Sequence, residues 1–179
     1  EIILEGIIDY AGLYPPASLE LDSVIAHWNE YINSEDSWML ARLIIPANRL
    51  EEFQQLASGL FPPESQDPWQ LSVLLPPVSS EAFSAALADT VSFNQQDCGA
   101  VANVVELKAT TTDEIDKALS QMDSDLFPFI EIPIDEDPVE LLSSMSGSMS
   151  GAKVRTGGVT PELYPSSADL ARFIHGCAT

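Results

Sequence analysis

Apolar and polar positions follow two alternating rhythms along the chain. Short runs rich in β-branched, aromatic and other apolar residues recur at intervals of about 25 to 35 residues, and each precedes a segment whose apolar residues have helical spacing. This alternation predicts six strand–helix units. The predicted strands are Ile2–Tyr10, Trp38–Ile45, Trp69–Leu75, Ala102–Lys108, Phe127–Ile134 and Ala152–Thr156.

Each predicted helix has a candidate N-cap and an apolar face. Ser, Thr, Asn and Asp side chains accept hydrogen bonds from the free backbone N–H groups at a helix start. An acid three residues later strengthens several of these caps. The candidates are Ser18, Asn48, Ser79, Thr111, Asp137 and Ser166. The apolar faces are predicted to be core, including Leu170, Phe173 and Ile174 of the last helix.

Strict alternation predicts right-handed crossovers and a parallel sheet, which leaves an open doubly wound sheet or a (β/α)8-type barrel. In the doubly wound sheet, helices cover both faces and the strands are continuous apolar runs. Charged residues at alternate positions near strand ends, such as Glu106 and Lys108, favour a barrel with a polar mouth. We therefore predict an α/β fold with a parallel (β/α) barrel of TIM type, forming a single domain over residues 1–179.

Six strand–helix units do not complete a barrel of eight strands. The barrel is thus predicted to be incomplete, with unpaired backbone groups on the first and last strands. A second copy, a partner chain, or further strands of a longer natural protein would cover this edge. We expect a homo-oligomer or a partner at the edge, and whether Thr179 is the natural C-terminus is left open.

The composition and charge of the chain argue against several classes of partner and ligand. The chain has 28 acidic and 7 basic residues and a formal charge of −21, which argues against nucleic acid or anionic membrane as a partner. No apolar run approaches the ~20 residues of a membrane helix. The two cysteines, Cys98 and Cys177, have no pairing pattern and predict a reducing, cytoplasmic location. His27 and His175 lack metal-ligand spacing and no nucleotide motif occurs, so no metal and no cofactor is predicted.

Cations inside apolar runs indicate the candidate site. Four of the seven basic residues lie in predicted strands, at Arg42, Lys108, Lys153 and Arg155. Such charges are rarely buried unless they are paired or bind a ligand. Since side chains two apart share one face of a strand, the alternation assigns all four to the inner face of the barrel. Three acids are assigned to the same face, namely Asp9, Glu106 and Glu131.

These residue types suggest two kinds of role. Lysine amines form Schiff bases with carbonyl compounds, and carboxylates act as general acids or bases. The catalytic candidates are therefore Lys153, Lys108, Glu131 and Glu106. The planar guanidinium suits a carboxylate or phosphate, and successive backbone amides could form an anion-binding nest. The substrate-binding candidates are Arg42, Arg155, Asp9, Thr156, Gly157 and Gly158.

Three segments resemble an uncharacterised bacterial protein family, and the similarity spans nearly the whole chain. They are DYAGLYPPA at Asp9–Ala17, WMLAR at Trp38–Arg42 and KVRTGG at Lys153–Gly158. The resemblance implies a longer protein with a further strand after the last helix. The end of the sixth strand is also distantly similar to deoxyribose-phosphate aldolases, which are Schiff-base barrels. Where those enzymes have their lysine this chain has Arg155, and Lys153 lies two residues earlier.

Two hypotheses of function follow. The first is an aldolase-like lyase or isomerase that uses Schiff-base or acid–base chemistry on a small anionic carbonyl compound, carrying a phosphate or carboxylate. The second is a non-catalytic protein of the same fold. In that case the charged lumen binds an anionic metabolite, or its groups only neutralise one another in a salt-bridge network.

Overall fold

A computed structural model describes residues 3–63 and 66–178. Within these residues six strands alternate with six α-helices. The strands are β1 (Ile8–Tyr10), β2 (Leu40–Pro46), β3 (Trp69–Leu74), β4 (Ala100–Lys108), β5 (Phe127–Glu131) and β6 (Gly151–Lys153). The helices are α1 (Leu21–Ile32), α2 (Leu50–Ala57), α3 (Phe83–Asn94), α4 (Thr112–Gln121), α5 (Val139–Met145) and α6 (Ser167–Ala178).

The strands form one parallel sheet in the order β1-β2-β3-β4-β5-β6. This order follows the chain without reversal, as in a (β/α) barrel, whereas a doubly wound sheet reverses its order at a switch point. The predicted fold class, an α/β fold with a parallel, barrel-type strand order, is therefore confirmed. β1 and β6 are the two end strands of the order.

The chain divides into two compact units, with the division inside β4. Unit 1 comprises Glu1–Leu74 and Ala85–Val104, and unit 2 comprises Leu75–Ser84 and Val105–Thr179. β1 to β3 and α1 to α3 thus belong to unit 1, apart from the first two residues of α3. The elements from α4 to α6 belong to unit 2. That residues 1–179 form a single domain stays a prediction.

An aromatic cluster forms part of the core of unit 1. The fully buried ring of Phe53 on α2 has its centroid 5.8 Å from Phe61, 6.3 Å from Trp69 and 6.4 Å from Phe93. Helix α1 adds an apolar face at helical spacing, as its sequence predicts. Its buried residues are Leu21, Val24, Ile25 and Trp28.

Unit 2 has its own buried layer. It includes Leu107 of β4, Ile115 of α4, Ile130 of β5 and Leu141 of α5. Lys117 anchors α4, because its Nζ donates a hydrogen bond of 2.9 Å to the backbone oxygen of Val78. Among the described residues, no helix is long and apolar enough to cross a membrane.

Several predicted element boundaries are wrong. The first strand was expected from Ile2, which lies outside the described residues, but β1 begins only at Ile8. Gly6 explains this late start: its φ of +60° turns the chain, and its N–H bonds to the backbone oxygen of Trp38. At the other end β6 stops at Lys153, so Arg155 and Thr156 lie in the loop that follows.

Two of the predicted N-caps are found at their helices. Thr111 Oγ1 accepts a hydrogen bond from the N–H of Glu114, and Ser166 Oγ accepts one from Asp169. Asp137 is one residue too early as a prediction, since Pro138 is the N-cap of α5, although the Asp137 carboxylate accepts a hydrogen bond from the N–H of Val139. The other three predictions, Ser18, Asn48 and Ser79, are wrong. α1 begins after Glu20, α2 begins after Arg49 and α3 begins at Phe83.

The apolar face of α6 differs from the prediction. None of its described residues is buried, and Ile174 is 59% exposed, although Leu170, Phe173 and Ile174 have core spacing. α6 follows β6, the last strand of the order, so no further strand–helix unit packs beside it in the described chain. The pattern identified the apolar face but not whether another element covers it.

Candidate functional site

Five of the predicted site residues lie at or just after the carboxyl ends of strands in unit 2. Glu106 and Lys108 belong to the end of β4, and Glu131 is the last residue of β5. Lys153 is the last residue of β6, and Arg155 follows two residues later. Parallel strands bring their carboxyl ends to one edge of the sheet, and Glu131 is aligned with Lys153 in the β5–β6 register.

The five side chains form a group of ion pairs, which we call the unit 2 charge cluster. Lys153 Nζ contacts Glu106 Oε2. Lys108 Nζ lies 3.2 Å from Glu131 Oε1, and Arg155 Nε lies 3.6 Å from the same oxygen. Three cations thus share two carboxylates. The cluster has a formal charge of +1 in a protein whose total charge is −21.

The acidic side chains of the cluster are more buried than the basic ones. The Glu106 side chain is 9% exposed and that of Glu131 is 18% exposed. The side chains of Lys153, Arg155 and Lys108 are 38%, 49% and 53% exposed. The carboxylates therefore form the base of the cluster and the cations face the solvent, where an incoming anion would meet them first.

An apolar surface continues from the cluster along β5 and β6. Phe127 and Phe129 precede Glu131 by four and two residues, so all three side chains share one face of β5. The two rings are both partly exposed and meet edge to face with centroids 5.1 Å apart. On β6, Gly151 leaves room for them: a Cβ on Gly151 would lie 2.5 Å from Cε1 of Phe129.

Sequence reasoning missed this apolar surface. The signal was present, because the alternation that places Glu131 on one face of its strand places Phe127 and Phe129 on the same face. Gly151 could not be interpreted from the sequence alone. Its role depends on the ring of Phe129, which lies opposite it in the β5–β6 register.

The loop after β6 carries the predicted amide nest at Thr156, Gly157 and Gly158. Neither glycine has a positive φ, so the loop does not have the αR–αL conformation of a nest. Both glycines approach other side chains closely. A Cβ on Gly157 would lie 3.1 Å from the Tyr164 ring, and one on Gly158 would overlap Leu163. Binding of an anion by these amides stays a prediction.

The remaining two site residues form a pair in unit 1. Arg42 Nη1 lies 4.0 Å from Asp9 Oδ1, with the side chains 31% and 40% exposed. A register shift between Ile8 and Asp9 aligns Asp9 with Arg42 instead of Ala41. Arg42 Nε is buried and has no hydrogen-bond partner among the described residues. That this pair and the unit 2 cluster share one inner face stays a prediction.

The sequence predicts no metal site at His27 or His175. His27 Nδ1 lies 3.2 Å from the Tyr10 hydroxyl, and Tyr10 stacks on Trp28 of the same helix as His27. The pKa of Tyr10 is raised, chiefly by burial and secondly by the charge of Tyr31. Within residues 3–63 and 66–178, no group of three or more His, Cys, Asp and Glu side chains is arranged to hold a metal ion.

Comparison of the chain with protein-family models, with curated proteins and with solved structures finds no match to any of them. The site is therefore interpreted from its own residues.

Proposed function

We propose that the unit 2 charge cluster binds a small anionic carbonyl compound, and that the protein is an aldolase-like lyase or isomerase acting on it. The observation that carries this proposal is the excess of cations, since three cations share two carboxylates in a chain that is otherwise strongly acidic. Ligand sites of parallel α/β folds lie at the carboxyl ends of the strands, which supports the location.

Lys108 and Arg155 have the features of anion-binding groups. They are the two most exposed cations of the cluster, and they share a single carboxylate oxygen, that of Glu131. A ligand carboxylate or phosphate adds a second negative group to this pair of cations. Charge-assisted hydrogen bonds from lysine and arginine to such anions are among the strong ones in proteins.

Lys153 and Glu106 suit the chemical step. The buried Glu106 carboxylate contacts Lys153 Nζ and is placed to take a proton from the ammonium. The freed amine lone pair forms a C–N bond to the carbonyl carbon, and the carbonyl oxygen leaves as water after protonation. The ammonium and the carbonyl compound thus become a protonated imine and one water molecule. The sequence resemblance of the Lys153–Gly158 segment to deoxyribose-phosphate aldolases suggests the same reaction class, although this chain has Arg155 where those enzymes have their lysine.

Reductive trapping tests the amine role. Borohydride adds hydride to a protonated imine and leaves a stable secondary amine, which mass spectrometry assigns to a residue. The chain has three lysines, Lys108, Lys117 and Lys153, so the assignment is unambiguous. We expect an adduct on Lys153 with at least one member of a panel of small anionic aldehydes and ketones, lost in Lys153→Met and kept in Lys117→Arg.

The alternative is a non-catalytic cluster, favoured by the observation that each cation already has a carboxylate partner. Thermal melting in phosphate or pyruvate, compared with sodium chloride at equal ionic strength, separates the two. A stabilisation that is lost in Arg155→Met but kept in Arg172→Met supports the anion site. The absence of an adduct on either cluster lysine, together with equal melting temperatures in all salts, would contradict the proposed function.

We also propose that a second copy of the chain covers β1, one end strand of the sheet. Ile7 and Ile8 at β1 are 58% and 41% exposed, and exposed apolar end strands favour association. Light scattering coupled to size exclusion should show a dimer or larger species. Ile8→Lys should shift it to monomer, whereas Leu60→Lys, at a position 42% exposed, should not. A wild-type protein that is monomeric at all concentrations contradicts this.

A further inference from the structure

We infer that the ligand of the unit 2 charge cluster carries an aromatic or similarly flat apolar group of about one ring next to its anionic end. This inference rests on the proposed function, because it assumes that the cluster binds an anion. It adds a substrate class: an aryl-substituted 2-oxo acid or its phosphate analogue, in preference to a compound with the same charged group and no apolar body.

The positions of Phe127 and Phe129 carry the inference. They share a face of β5 with Glu131, and side chains two apart along a strand are about 6.5 Å apart. The position of Phe129 is therefore one strand repeat, about 6.5 Å along the backbone, from that of Glu131, whose carboxylate pairs with Lys108 and Arg155. That spacing is about the width of one ring, so a ligand held by the two cations extends its next atoms over Phe129.

Gly151 makes the surface continuous across two strands. Gly151 and Lys153 share a face of β6, and Gly151 is aligned with Phe129 in the register. A Cβ at this position would lie 2.5 and 2.6 Å from two atoms of the Phe129 ring. Phe129 thus occupies the space in which residue 151 would place a side chain, and residue 151 precedes Lys153, the candidate amine, by two positions on the same face of β6.

The surface is partly exposed, unlike the fully buried core. Neither Phe127 nor Phe129 is fully buried, although full burial of a large aromatic side chain contributes much to stability. Exposed apolar area rimmed by charged groups is typical of ligand sites, where the apolar part contributes affinity and the few polar groups fix the orientation. The cluster has the matching charge for an anion.

Isothermal titration calorimetry with pyruvate and phenylpyruvate at constant ionic strength tests the inference. We expect phenylpyruvate to bind roughly tenfold more tightly than pyruvate, since one ring adds an aromatic contact and its apolar area. In Phe129→Ala this preference should fall to within about twofold, with pyruvate affinity unchanged. Phe129→Leu, which keeps most of the volume, protects the test against misfolding and should retain only part of the preference.

A matched control comes from α6. Phe173 is also a partly exposed phenylalanine of unit 2, and Phe173→Ala should leave the preference for phenylpyruvate intact. Equal binding of the two acids by the wild type overturns the inference while leaving an anion site in place. Loss of the preference in Phe173→Ala as well as in Phe129→Ala overturns it too. Binding of neither acid overturns both this inference and the proposed function.

Discussion

The contact between Glu106 and Lys153 is the best place to test how the cluster is held together. A double-mutant cycle with Glu106→Gln, Lys153→Met and the double variant measures the coupling free energy of the two side chains. Glu106 is buried and Lys153 is 38% exposed, so the pair lies between a buried ion pair and a surface one.

The expected magnitude follows from these exposures. Two unit charges at 4 Å attract by roughly 4 kcal/mol at an effective dielectric of about 20. Solvent screening at the exposed ammonium and the entropy of holding the lysine chain reduce this, as in surface pairs, which contribute about 1 kcal/mol or less. We therefore expect a coupling of about 1–2 kcal/mol.

The two single variants should differ in cost. Glu106→Gln leaves Lys153, whose ammonium has access to water, so we expect a loss of roughly 1 kcal/mol. Lys153→Met removes this ammonium from a carboxylate that stays buried, so we expect a larger loss of roughly 2–3 kcal/mol. Urea denaturation followed by circular dichroism gives each free energy of unfolding.

The Arg49–Glu52 pair at the start of α2 provides the control. It joins the N-cap residue of the helix to a residue of its first turn, at 2.7 Å between Arg49 Nη2 and Glu52 Oε1, and both side chains are more exposed than that of Glu106. Its coupling should be smaller and should fall away in about 0.5 M salt, whereas that of Glu106 and Lys153 should persist because Glu106 is buried. A Glu106–Lys153 coupling within about 0.3 kcal/mol of zero, or a larger loss for Glu106→Gln than for Lys153→Met, would refute the reasoning.

Three further predictions concern the scaffold. Phe53→Ala, at a fully buried ring, should lower the free energy of unfolding by about 3–5 kcal/mol in urea titrations, whereas Leu56→Ala, at a 47% exposed position of the same helix, should change it by less than about 0.5 kcal/mol. Thr111→Ala removes the N-cap of α4 and should cost about 1 kcal/mol in the same assay; no change would show that another group caps the helix. The pKa of Glu114 is lowered from 4.5, chiefly because the Thr110 N–H donates to it. This stabilisation is present above pH 4.5 and is lost as the pH falls through the lower folded-state value, so Glu114→Gln should flatten the acid side of the stability curve.

The order of the elements was predictable because it depends only on repeated local patterns. A strand run followed by an amphipathic helix predicts a crossover unit wherever it occurs, and six such units give the observed parallel order. Helix starts were less predictable. Ser18 has the right side chain for an N-cap, but its φ of +46° places it in a turn before the helix. The preference of a residue type for the N-cap position does not specify the path of the loop that leads into the helix.

The charged residues of the site were predictable from the sequence, but the ion-pair partner of each one was not. Alternation placed Glu106 and Lys108 on one face, and the structure has both at the cluster. Which carboxylate each cation contacts depends on strand register, which the sequence does not specify. Arg42 shows the limit most clearly: an irregularity in the β1–β2 pairing aligns it with Asp9, and a regular ladder would have placed Ala41 there.

The acidity of the chain and the cations of the cluster act at different distances. A total charge of −21 repels polyanions such as nucleic acids, which meet the surface over an area far larger than one site. At physiological ionic strength, charges beyond about 8 Å are largely screened, so a small anion at Lys108 and Arg155 interacts mainly with the cluster. Under the proposed function, the total charge of the chain disfavours large anions, and the local excess of cations in the cluster attracts a small one. The proposed partner of the site is for this reason a small metabolite and not a macromolecule.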